Sequence, residues 1–82
     1  MPHVNIKLYP GRSEEVKKEL ANKIAKVVSE VAGTSLGSIS VAIEEIEKEN
    51  WMKDVYEKDI IEKRELLYII IRFLKTNHQL KK

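Results

Sequence analysis

Cysteine is absent. That excludes a disulfide framework and any thiolate metal site, and it fits a reducing cytoplasm. Only two histidines occur, His3 and His78, too far apart for ligand spacing, so no metal is expected. Proline appears twice and glycine three times, and neither a repeat nor a low-complexity segment is present. No phosphate-cradling glycine loop, nucleophile elbow or carboxylate dyad can be recognised. Long apolar runs are missing too. The longest, Leu66 to Ile71, is cut off at Arg72, far short of the roughly 20 residues of a membrane span. The first apolar residues alternate with polar ones, so no signal peptide is expected.

What remains is an 82-residue chain, 43% hydrophobic and 34% charged, the balance of a small globular domain and not of a disordered one. A chain of this length builds a modest core, and association with further copies is the natural supplement. The net charge of +2 hides a polarity. All 13 acidic residues precede position 69, together with 11 of the 15 basic ones, leaving residues 1–68 at −2 and residues 69–82 at +4. The reading is a domain over 1–68, followed by an apolar and then basic tail over 69–82. Four positive charges with only Phe73 among them are thin ground for a nucleic-acid or membrane contact, and neither partner is expected. The Glu44, Glu45, Glu47 and Glu49 run reads as a solvated strand end and loop.

Val4, Ile6 and Leu8 alternate with His3, Asn5 and Lys7, the period-two pattern of a strand. Pro10-Gly11 stops it, and Ser13 stands as a helix N-cap with Glu14 and Glu15 in the first turn. Val16, Leu20, Ile24, Val27/Val28 and Val31 recur at spacings of three and four, predicting an amphipathic helix that leaves through Gly33. Ile39, Val41 and Ile43 alternate with Ser40, Ala42 and Glu44 as a second strand. One helix between two strands is a βαβ unit, whose strands are parallel. Two strands and one helix are too little to stand alone, so pairing of two copies into a four-stranded sheet is expected. Beyond Trp51 the pattern loosens. One or two short helices across 52–66 fit Val55, Tyr56, Ile60 and Ile61. Leu66–Ile71 suits a strand or a helix equally. The fold class is α+β.

Pro2 carries the chemistry. Once Met1 is removed its nitrogen is a secondary amine that accepts a proton, held in a fixed direction by its ring. The reference α-amino pKa is about 7.7–8.0, and an apolar pocket or a cation such as Arg12 would lower the value toward that of a useful base. Arg12 itself sits where it opposes the helix dipole, a placement that hints at a ligand role.

Pro2, the alternating strand, Gly11-Arg12-Ser13, the amphipathic helix, Ser38-Ile39-Ser40-Val41 and Trp51 together resemble the 4-oxalocrotonate tautomerase family. The likeness runs without gaps from Pro2 to about Trp51, and more loosely to Tyr68. It implies a cofactor-free tautomerase, an isomerase that interconverts enol and keto forms of a small 2-hydroxydienoate or enol-pyruvate. In that likeness Pro2 is the general base, Arg12 binds the substrate carboxylate and Trp51 is an apolar wall. Ser40 stands where the best-known members have a second arginine. With Trp51, it resembles the branch of small dimeric tautomerases similar to phenylenolpyruvate tautomerases. The resemblance implies a homodimer or a hexamer of dimers, with dimer favoured, and sites drawing on more than one subunit. Relatives of that branch end soon after Leu-Tyr, whereas here Leu67-Tyr68 runs on to Lys82. If Met1 stays, the Pro2 nitrogen is an amide, and the chain is instead a non-catalytic oligomeric binding module.

Overall fold

A computed structural model describes residues 1–70. The expected tail over 69–82 therefore lies outside the described residues from position 71 onward. The chain divides into two compact units, Met1–Ile46 and a second that begins at Glu47.

The first unit is the βαβ unit read from the sequence. Strands β1 (His3–Leu8) and β2 (Ser40–Glu45) form a two-stranded parallel sheet, linked through helix α1 (Glu14–Ala32) and a 3₁₀ turn, Leu36–Ser38. The register pairs His3 with Ser40 and runs to Leu8 with Glu45. Side chains paired in a parallel ladder share a face, so His3, Asn5 and Lys7 lie beside Ser40, Ala42 and Glu44. Val4, Ile6 and Leu8 share the other face with Val41 and Ile43. On the polar face the Asn5 amide donates to Glu44 at 3.1 Å.

Helix α1 is fixed at both ends by its own sequence. The Val16 amide donates to the Ser13 hydroxyl at 3.2 Å, satisfying one of the orphan donors of the first turn. At the other end Gly33 takes a left-handed φ of 72°. The Ser29 carbonyl then accepts from the amides of both Gly33 and Thr34, and the Ser29 hydroxyl donates to the Thr34 carbonyl at 2.6 Å. Lys17, only 18% exposed, bridges Glu14 at 2.9 Å and Glu45 at 3.1 Å, tying the helix to the end of β2. Hydrogen bonding to Lys17 lowers the Glu14 pKa from its ordinary value. The bonds to Glu14 and then Glu45 raise that of Lys17. The sign follows from linkage. The Lys17 contribution is present below its unfolded pKa and is lost as pH rises through the raised value. The Glu14 contribution is lost as pH falls through its lowered one.

The helix face is covered only in part. Leu20, Ile24 and Val28 are half-buried, but Val16, Val27 and Val31 stay open, Val31 at 82%. Geometry accounts for this. Nineteen helical residues span roughly 28 Å, while six-residue strands span about 20 Å, and only two of them lie beneath. The helix outruns its sheet. Among the described residues only Val55, at 6% exposure, is buried, and the other core-facing side chains are half-buried or open.

The second unit winds differently. Glu47 is extended, and helix α2 (Lys48–Trp51) continues without a break in backbone angles into a π-helical stretch, Met52–Ile61. The Glu62 amide closes it on the Glu57 carbonyl, five residues back, at 3.0 Å. A 3₁₀ turn, Arg64–Leu66, follows, and Leu67 is extended. A helix across 52–66 is thus present, though it starts at Lys48 and is wound as π instead of α. Of the stretch open between strand and helix, Leu66 ends the 3₁₀ turn and Leu67 to Ile70 are neither. No helix among the described residues is long and apolar enough to cross a membrane.

Candidate active site

Pro2 stands one residue ahead of β1, half-buried, behind a fully exposed Met1. A proline offers the ladder no amide proton, so its carbonyl alone joins the sheet, accepting from the Ser40 amide at 3.2 Å. The carbonyl of the residue that carries the ring nitrogen is thereby tied to the first residue of β2. Removing Met1 would cost the fold no buried surface.

Ser40 is also engaged by its side chain. Its hydroxyl and the Nδ1 of His3 share a hydrogen bond of 2.6 Å. Pro2, His3 and Ser40 therefore form one small constellation at the head of the sheet. In the sequence His3 stands out only as a histidine without metal-ligand spacing. The overlooked signal was topological, since parallel strands in this register must place residue 3 beside residue 40 on the same face.

Arg12 is elsewhere. The Pro10-Gly11 turn, with Gly11 at a φ of 128°, carries the chain out of the far end of β1. There the Arg12 guanidinium folds back to donate to the Tyr9 carbonyl at 3.2 Å and is otherwise exposed. At roughly 3.3 Å per residue, the six-residue β1 runs about 20 Å from Pro2 at its head to the turn that carries Arg12 at its foot. The structure brings Pro2 together with Ser40, and not with its own Arg12. Trp51, the remaining candidate, is half-buried as the last residue of α2 in the second unit.

The chemistry open to this set is limited and specific. It holds one potential amine base, one neutral hydroxyl donor paired to an imidazole, and one guanidinium fit for bidentate carboxylate binding. No cluster of three or more metal-ligating side chains occurs among the described residues.

Known proteins resemble the chain across this region. Residues 2–59 match the family described as tautomerase enzyme. A probable tautomerase of Xylella fastidiosa is 40% identical over 60 residues, covering 73% of each chain. The 2-hydroxymuconate tautomerase of Bacillus subtilis is 39% identical over 51 residues, which cover 62% of this chain and 82% of that one. Among solved structures, YwhB, a homologue of 4-oxalocrotonate tautomerase, superposes with a TM-score of 0.56 at 40% identity, covering 57% of this chain and 77% of its own.

Proposed function

This chain belongs to the tautomerase family and is an isomerase, and from that premise we propose that Pro2, freed of Met1, is its general base. The substrate class is a small 2-hydroxydienoate or enol-pyruvate. The neutral secondary amine takes the proton from the enol hydroxyl and returns it to carbon, leaving the keto acid. The proline ring fixes the direction of transfer, and the Ser40–Pro2 main-chain bond fixes the ring's place. Arg12 holds the substrate carboxylate through paired, charge-assisted hydrogen bonds. The Ser40 hydroxyl donates to the oxygen that gathers charge, a weaker donor than an arginine would be, so turnover is slower than in the arginine-bearing branch. Trp51 supplies an apolar wall.

The observation that carries this reading is the family match beginning at Pro2, with that residue secured at the head of β1 by Ser40. The separation along β1 adds a condition. A small acid cannot reach along a strand about 20 Å long, so Pro2 of one copy works with Arg12 of a second. Homodimerisation also supplies the two further strands that the open sheet lacks.

The test combines intact mass with an enol-pyruvate ketonisation assay. Protein lacking Met1 is expected to be active, and Pro2→Ala to lose about 10²- to 10⁴-fold in kcat/KM. A retained methionine with no activity would instead leave an oligomeric binding module on the tautomerase fold. Full activity in Pro2→Ala would remove the base.

A further inference from the structure

The 2.6 Å bond between His3 Nδ1 and Ser40 Oγ lies at the short end for a nitrogen–oxygen pair, whose usual separation is about 2.9 Å. Both residues are exposed on the polar face of the sheet. The His3 ring makes no second hydrogen bond among the described residues, so Ser40 is the group that orients it. The Ser40 main chain is bound to Pro2 and its side chain to the residue after Pro2. Such a fastening sets Ser40 beside Pro2 at the head of the sheet.

A serine hydroxyl has one proton to give. If Nδ1 accepts it, the hydroxyl is spent on the ring. If Nδ1–H donates to the serine oxygen, the hydroxyl proton is free to turn toward a ligand and is polarised by the bond behind it. We propose that His3 is a positioning residue that acts through Ser40, donating from Nδ1 so that the serine hydroxyl points at the oxygen of the reacting enol acid. It rests on the tautomerase reading of Pro2 and adds the residue that makes a neutral serine serviceable where other members of the family use arginine. A hydrogen bond that strengthens as the enolate oxygen gains charge acts on kcat and leaves KM to the carboxylate anchor.

The test is steady-state kinetics on methionine-processed protein with an enol-pyruvate, using replacements of similar size. His3→Asn keeps a donor near the place of Nδ1 and is expected to retain most of kcat. His3→Leu keeps bulk without a donor and is expected to lower kcat about tenfold with KM little changed. Ser40→Ala should lose the same factor, and adding it to His3→Leu should cost nothing more, since the two act as one unit. Ser40→Thr, which keeps the hydroxyl and suits a strand, should restore the rate and shows that β2 itself is not at fault. Wild-type kcat in His3→Leu, equal losses in the Asn and Leu variants, or losses that multiply in the double variant would overturn the proposal. Pro2→Ala runs in parallel. Activity surviving there condemns the base, whereas an inactive Pro2→Ala beside a fully active His3→Leu condemns only the positioning role.

Discussion

Between Met1 and Ile46 the chain is held at each change of direction by a local anchor: Gly11 in its turn, Ser13 as cap, Gly33 and Ser29 at the helix end. From Glu47 onward such anchors are few. The entry to α2 has no side-chain cap, and the winding relaxes from α to π within one turn. The candidate chemistry follows the same division. Pro2, Arg12, His3 and Ser40 lie in the first unit, while the second contributes Trp51 and Val55, the one buried side chain among the described residues. Local anchors accompany the groups that must be aimed, and the second unit holds the buried Val55. Positional precision is what proton transfer demands, since a misplacement of about 1 Å can cost roughly 10²-fold in rate.

That contrast can be broken by experiment. Arg12→Ala should act on binding, raising KM for an enol-pyruvate by about 10- to 100-fold while thermal stability stays put. A variant that melts early with unchanged KM would put Arg12 among the structural residues. Val55→Ala should do the converse, lowering stability by about 2 kcal/mol through lost burial and the cavity left behind, read as a drop in the denaturant midpoint. If KM for Val55→Ala rose as far as for Arg12→Ala, the division of labour would be wrong. Ser13→Ala is the mildest, costing about 1 kcal/mol by loss of the cap on α1. Equal stability of that variant and wild type would show that the helix is held by its packing alone.

The first unit was legible because each of its elements is signalled locally. Alternation gave both strands, Ser13 and Gly33 gave the helix ends, and the βαβ order gave a parallel sheet. What local pattern could not supply was distance. Pro2 and Arg12 are close in sequence, and a chemical reading pairs them, yet a six-residue strand drives them apart. The apolar face of the helix is longer than the packing it finds in one copy, because periodicity marks apolar positions and not the width of the sheet beneath them. In the second unit the spacing does not keep a period of 3.6. The half-buried residues Trp51, Tyr56 and Ile61 instead recur every five, as do Val55 and Ile60, the interval of the i→i+5 bond that closes this stretch. His3 escaped because its partner is 37 residues away, visible only once the register is known.

The family match extends through both units to residue 59, so the contrast between them lies inside the tautomerase region and not at its edge. It leaves one claim from which most of the account follows: a site completed by opposite ends of β1 from two copies of the chain. Unfolding Pro2→Ala and Arg12→Ala together, refolding the mixture and measuring enol-pyruvate ketonisation tests it directly. Each variant alone is nearly inactive at low substrate. In a statistical mixture of symmetric dimers, half the molecules are mixed and hold one intact site of two, so about a quarter of wild-type activity should return. A mixture no more active than the average of its parents would contradict a shared site.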